Sequence, residues 1–397
     1  MMVLNLYGKA IKEPQKILED AYNKAVGEFQ KDKGKSFLSN LNAKARNWLT
    51  IIAKNCEKQK AVVSALITSL TKKLENPSQD VRYHKVELPG GYSGRTFDTR
   101  YVTPFLKKKF PRIAMKESAW LTRSIEQPHA FTLRPRFPGK IQNKQVKEAF
   151  LQLLEDIEVN KADPMRYLVA MFILLTQEAS KVQTTISSIP RVPAVKEIEI
   201  DLIINCLKSH FFAHYSSHGA SKLPVIAIYS IYKIMVKELN RYHDKKLEPL
   251  MSHVSPDMRS GRIGDIEVRD KNNECFEAVE VKYGIPIDSV MVKDAYKKFS
   301  STRVRRYYLL TTAKPYIKQG EEWNIKSLKR QIRKDHGCEV IVNGIMQSIK
   351  YYLRLLRSPT QFINVYTETL KLDAAKTAEL KKEHIQKWSE IINRLTR

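Results

Sequence analysis

Cysteine is scarce in this chain of 397 residues: Cys56, Cys206, Cys275 and Cys338 stand far apart, with no CxxC pair. That excludes a disulfide scaffold and cysteine-paired zinc motifs, and predicts reduced, intracellular thiols. Long apolar runs are missing too. The longest, YLVAMFILL at 167–175, falls far short of a membrane span. The opening MMVLNLYGKAIKEPQ has neither an apolar leader core nor a basic region before one, so a soluble, cytoplasmic protein is expected. There is no internal repeat, no low-complexity tract and no GxxxxGK phosphate loop, which excludes a built-in helicase motor. Acidic residues are the last deficit: 42 Asp+Glu against 69 Lys+Arg leave a net charge of +27. Such an excess predicts a polyanionic partner, most often nucleic acid, because the summed field attracts phosphate and released counterions favour binding. An anionic membrane surface, or a basic protein merely kept soluble by its charge, are the alternatives.

What is present divides the chain by texture. Residues 13–75 carry apolar positions at helical spacing with almost no Gly or Pro, which predicts two or three helices. From 82 to 140 the chain is rich in Pro, Gly, aromatics and Arg. Helical spacing returns over 145–158, 164–180, 196–216 and 222–243, with SSIPRVPAV at 187–195 as the expected linker. Extended segments follow near 247–254, 262–269 and 275–282, then a helix (287–300), a strand (305–312), a helix (322–335) and a strand (338–344). The last fifty residues read as helix. The division expected is a mainly helical region over 1–190, a core of mixed sheet with helices on its faces over 191–344, and a helical C-terminal extension over 345–397.

The chemistry concentrates in GDIEVRDKNNECFEAVEVKYG, 264–284. Residues two apart in a strand share a face. Ile266 and Val268 then point one way, and Asp265 and Glu267 the other. In the second strand Val279 and Val281 go with the apolar set, while Glu280 and Lys282 point together to the opposite side. The polar turn RDKNNE closes an antiparallel pair, so Asp265 is expected beside Glu280 and Lys282. Two neighbouring carboxylates repel as bare charges. A hard divalent cation removes the conflict: Mg²⁺ takes one or two carboxylates, keeps several waters and binds substrate phosphate. The ammonium beside it can orient or help deprotonate a water and offset charge developing on phosphorus.

This arrangement resembles the PD-(D/E)XK nuclease superfamily: Asp265 on one strand, fourteen residues, then Glu280-Val281-Lys282 on the next. The order of elements from 222 to 312 fits the family's α-β-β-β-α-β core. The resemblance implies an α/β (α+β) nuclease core with a mixed central sheet, embedded in large helical N- and C-terminal regions. It implies that Asp265 and Glu280 bind Mg²⁺ and that Lys282 serves the attacking water. Asp257, in a literal Pro-Asp at 256–257, is the alternative first acid, and Glu238 on the upstream helix is the candidate additional one. Among family members the chain looks most like a type II restriction endonuclease: a sequence-specific, Mg²⁺-dependent enzyme on double-stranded DNA. A cognate DNA methyltransferase would be a separate protein, since no methyltransferase signature is present. Cutting both strands at a symmetric site calls for two active sites, hence an expected homodimer.

Residues 82–140 are the candidate for reading DNA. Between 95 and 140 there are eleven Lys/Arg and three acids. Arg95, Arg100, Arg123, Gln127 and Arg134 sit among Gly, Ser, Pro and aromatics; Arg reads guanine and Gln reads adenine in the major groove. Contact with phosphates alone is the competing reading. A second basic stretch, 293–334, has thirteen Lys/Arg and three acids and is expected to clamp backbone. Cys206, His210, His214 and His218 repeat every four residues, but that ladder drifts round a helix, so a packed or exposed face is expected there in preference to zinc. Tyr351 and Tyr352 are expected in core or dimer contacts. The rival functions are a structure-selective or nonspecific nuclease of the same superfamily, a non-catalytic DNA-binding protein, and an RNA-binding protein, which the lack of an aromatic RNP-type strand disfavours.

Overall fold

A computed structural model describes residues 13–193, 197–250 and 262–396. The chain forms two compact units, residues 1–184 and 185–397. No helix among the described residues is long and apolar enough to cross a membrane.

The first unit is helical: α1 (Pro14–Asp32), α2 (Lys35–Ser39), α3 (Ala43–Lys54), α4 (Lys60–Glu75), α5 (Gly94–Phe97), α6 (Thr103–Lys109), α7 (Lys144–Glu158) and α8 (Pro164–Ser187), the last running past the unit's boundary. Helix α4 is buried on every side from Ala61 to Thr71, which is why its sequence is apolar all round. The Pro- and Gly-rich stretch after it is folded by two buried polar centres. Asp98 is fully buried and accepts from Ser64 Oγ (2.8 Å), Thr103 Oγ1 (3.1 Å), Ser118 Oγ (2.7 Å) and the Ala119 N–H (2.8 Å). His84, also fully buried, stacks on Phe131 at 3.6 Å and accepts the Trp120 indole N–H on Nδ1 at 2.8 Å. Its Nε2 therefore carries the proton and donates to the His129 carbonyl at 2.9 Å. Burial pushes the His84 pKa down to about 4, so the ring is neutral.

The second unit is α/β. Helices α9 (Ile200–Phe211) and α10 (Lys222–Glu238) precede β1 (Lys246–Leu247), β2 (Ile266–Arg269) and β3 (Cys275–Lys282). Then come α11 (Ser289–Phe299), β4 (Val304–Thr311), α12 (Glu322–His336), β5 (Glu339–Gly344), α13 (Ile345–Leu353), α14 (Pro359–Lys376) and α15 (Lys382–Thr396). The sheet order is β1-β2-β3-β4-β5; the first three strands run antiparallel, and β3, β4 and β5 run parallel. One face packs Ala278, Tyr307, Leu309 and Val340 against Val292, Ala295 and Phe299 of α11 and Ile325 and Ile332 of α12. The helices of 345–396 pack on α9 and α10 within this unit, so they complete its core and are not an appendage.

Two expectations about elements change. Helix α9 ends at Phe211, not near 216, because Glu383 draws the backbone N–H groups of Ser216 (2.9 Å) and Ser217 (2.7 Å) out of helical pairing. The Cys206–His218 ladder is therefore broken. His210 lies in the core, bonded through Nδ1 to Tyr366 Oη and through Nε2 to the His384 carbonyl, each at 2.9 Å, and burial lowers its pKa to about 3. Finally, the extended segment near 247–254 is a strand only over Lys246–Leu247 among the described residues. Tyr352 is buried edge-on against Tyr232, while Tyr351 is exposed. All four cysteines are free and buried.

Candidate active site

The site is built where β2 meets β3. Ile266 pairs with Val279 and Glu267 with Ala278, so the same register, carried one residue back, sets Asp265 opposite Glu280. Opposed residues share a face. Asp265, Glu267, Glu280 and Lys282 thus lie on the α11 face, and Ile266, Val268, Val279 and Val281 on the other. Gly264 permits this approach: a Cβ there would lie 2.9 Å from the Val279 carbonyl oxygen, closer than backbone tolerates. Beyond Gly264, Asp265 Oδ2 accepts the Val281 N–H at 2.8 Å, which ties the acid to the strand between Glu280 and Lys282.

Glu280 is 8% exposed and well supplied with donors. Lys282 Nζ stands 2.7 Å from its Oε1. Lys298, from α11, stands 3.3 Å from both Oε1 and Oε2. Tyr307 of β4 is fully buried beneath the pair, with its hydroxyl donating to the Ile263 carbonyl at 2.8 Å and 3.5 Å from Glu280 Oε2. Two carboxylates, Asp265 and Glu280, and two ammoniums, Lys282 and Lys298, give this cluster no net formal charge. Glu267, the third acid on the face, is committed elsewhere. It accepts the Ile263 N–H at 2.7 Å and the Arg269 guanidinium at 2.6 Å, and so anchors the turn that carries Gly264 and Asp265.

The donor chemistry fits a hard divalent cation: two carboxylates, with no thiol or imidazole among them. No group of three or more His, Cys, Asp or Glu that could hold a metal occurs among the described residues. Asp257 lies outside the described residues. Glu238 does not join Asp265 and Glu280. It ends α10, the helix that reaches the opposite face of the sheet, and its carboxylate accepts the Arg357 N–H at 3.0 Å. The reason is local: at the last turn of α10 the side chain meets the turn before α14.

Arg95, Arg100, Arg123, Gln127 and Arg134 all belong to the first unit. The four arginines are exposed and none pairs with an acid among the described residues, whereas Arg82, Arg112 and Arg136 are tied to Asp80, Glu57 and Glu148. Gln127 bonds the Arg123 carbonyl at 2.9 Å. In the second unit, Lys326, Lys329, Arg330 and Arg333 of α12 line a cavity of about 390 Å³ against β5, the edge strand, and none of them pairs with an acid among the described residues. Glu322 and Glu339 line the same cavity, and Trp323, 75% exposed, precedes the cations on α12.

Sequence reasoning missed Lys298 and Tyr307. The signal for Lys298 was faint: Lys297-Lys298 close an amphipathic helix directly after the EVK strand, and such a helix must cross over the sheet to start a parallel strand. Compared with known protein families and with curated proteins, the chain matches no family model and no curated sequence.

Proposed function

We propose that this protein is a metal-dependent phosphodiester hydrolase of the PD-(D/E)XK type, acting on double-stranded DNA. One observation carries the reading: a strand register that sets Asp265 opposite Glu280, with the Lys282 ammonium 2.7 Å from Glu280, on a sheet whose β3 is antiparallel to β2 and parallel to β4. In this reading Asp265 and Glu280 hold Mg²⁺. A divalent cation bound there supplies Lewis-acid stabilisation of phosphate charge and lowers the pKa of water. Lys282, beside the same carboxylate, orients the attacking water and offsets negative charge on phosphorus. The net charge of +27 draws in the polyanion. The exposed Arg95, Arg100, Arg123 and Arg134, with Gln127, supply groups for base or phosphate contact, which favours a type II restriction endonuclease working as a homodimer beside a separate methyltransferase.

A second reading, a nuclease without sequence preference, is favoured by the α12 row. Cations on a helix that also carries an exposed tryptophan suit backbone and base-stacking contact of any sequence. Both readings are tested by incubating a panel of plasmid and phage DNA with Mg²⁺ and the wild-type, Glu280→Ala and Lys282→Ala proteins. Discrete fragments lost in both variants support the site-specific enzyme, and a smear lost in both supports the nonspecific one. Intact DNA with wild type, binding retained, makes the protein a non-catalytic DNA binder.

A further inference from the structure

Lys298 is held in a position that Lys282 does not occupy. Lys282 approaches one oxygen of Glu280, at 2.7 Å, and Tyr307 Oη lies nearer the other, at 3.5 Å from Oε2. Lys298 Nζ is 3.3 Å from each oxygen, so it sits at the mouth of the carboxylate, where a cation shared by both oxygens would sit. It comes from the last turn of α11, a helix anchored by Val292, Ala295 and Phe299 in the core, so its backbone is not free to withdraw. Only the side chain, 26% exposed, can swing away.

We infer that Lys298 is a stand-in for the active-site cation: its ammonium occupies the mouth of Glu280 and must be displaced before a metal can bind there, which couples metal binding to the arrival of phosphate. The inference rests on the metal site proposed above. The charges set the direction. The protein's own cluster is neutral, so a divalent cation entering alone meets two ammoniums within a few ångströms of its ligand oxygens, and like charges at that distance oppose it strongly. Mg²⁺ also needs oxygen at about 2.0–2.1 Å, which an ammonium at the same mouth denies. A phosphate group changes both terms. It offers the displaced Lys298 ammonium a new anionic partner and offsets the metal's charge. Lys298 is thus a positioning residue in the free protein and a phosphate contact in the complex.

The test reads metal binding and not turnover. Mn²⁺ is titrated into the full chain by electron paramagnetic resonance, for wild type, Lys298→Met, Lys298→Arg and Glu280→Gln, with and without a short DNA duplex. Without DNA, Lys298→Met should bind Mn²⁺ about tenfold more tightly than wild type, within the usual range for coupled sites. Lys298→Arg should bind it more weakly, because the guanidinium fork grips both carboxylate oxygens. DNA should strengthen Mn²⁺ binding in wild type far more than in Lys298→Met. If Lys298→Met binds Mn²⁺ no better than wild type while Glu280→Gln abolishes binding, the inference is overturned and the metal site stands. If Glu280→Gln leaves Mn²⁺ binding unchanged, the metal site falls and the inference with it. Should Lys298→Met melt before the titration, the Arg variant decides alone, and binding tighter than wild type then overturns the inference.

Discussion

Strand β3 carries two buried glutamates three residues apart, and they are held in opposite ways. Glu277 lies on the α10 face and is fully buried. Its carboxylate accepts from the hydroxyls of Tyr232 (3.0 Å), Tyr242 (2.8 Å) and Tyr308 (3.5 Å) and pairs with Arg241. Burial first, and Glu277 next, push the Tyr308 phenol up to about 12 and the Tyr242 phenol higher, so both remain donors. Glu280 lies on the other face under two lysines, with Lys282 and Lys298 32% and 26% exposed. Three buried hydroxyls, in addition to the half-exposed Arg241 guanidinium and Arg306 at 3.7 Å, make the Glu277 clamp the more permanent one. Ammoniums on flexible stems that touch solvent make an exchangeable one. One strand thus joins a fixed acid, which welds α10 and its following turn to the sheet, to an acid whose partners, on the proposed function, would give way to a metal and a phosphate.

Substitution should separate the two acids completely. On the proposed function, Glu280→Gln is expected to lower DNA cleavage by about 10³-fold or more, since a metal held there would rely on that carboxylate for several kcal/mol of transition-state stabilisation. Its unfolding free energy in urea should change by less than about 1 kcal/mol, because both lysines can rehydrate. Glu277→Ala should do the reverse at the level of the fold. Leaving Arg241 and three phenols without their acceptor should cost about 3–5 kcal/mol in the same titration. Equal stability losses from the two variants would break the comparison.

The helices behind Glu277 should answer to pH. His210 in α9 is neutral in the fold, held down to about 3 chiefly by burial, against 6.5 when free. Between those values the unfolded chain takes up a proton that the folded chain refuses, so stability is full above about pH 6.5 and drains away as pH falls toward 3. His84, lowered to about 4, acts in the same direction in the first unit. Chemical denaturation at a series of pH values checks the slope, and His210→Gln should flatten its contribution.

How much of this the sequence disclosed follows from the range of each interaction. Alternation along two strands placed Asp265, Glu267, Glu280 and Lys282 on one face, because period two is a local property and the turn RDKNNE sets the pairing. Gly264 before Asp265 was legible as a position, though not as a close approach. Lys298 and Tyr307 reach Glu280 only after a crossover helix and a parallel strand have formed. Arg241, Tyr232 and Tyr242 reach Glu277 from 35–45 residues upstream. No periodicity encodes those meetings. The helix expected over 196–216 runs too long for the converse reason: its spacing was helical, but Glu383, 166 residues away from Ser217, takes that residue's N–H outside it.

Two smaller changes sharpen the comparison. Gly264→Ala must push the turn away from the Val279 carbonyl and carry Asp265 with it. Misplacement by about 1 Å can cost ~10²-fold in rate, so cleavage should fall by about that factor, with the loss confined to kcat. The finest test removes one hydroxyl on each side of β3. Tyr242→Phe deletes a 2.8 Å donor to Glu277 and should cost about 1–1.5 kcal/mol of stability without touching kcat. Tyr307→Phe deletes the 2.8 Å bond to the Ile263 carbonyl, two residues before Asp265. It should cost a similar amount in urea, since that hydroxyl is buried as well, but it should also slow cleavage several-fold, because the turn that carries Asp265 loses its tie to β4. If both phenylalanines leave the rate unchanged, the support beneath Glu280 is as inert as the clamp around Glu277, and the two faces differ only in their lysines.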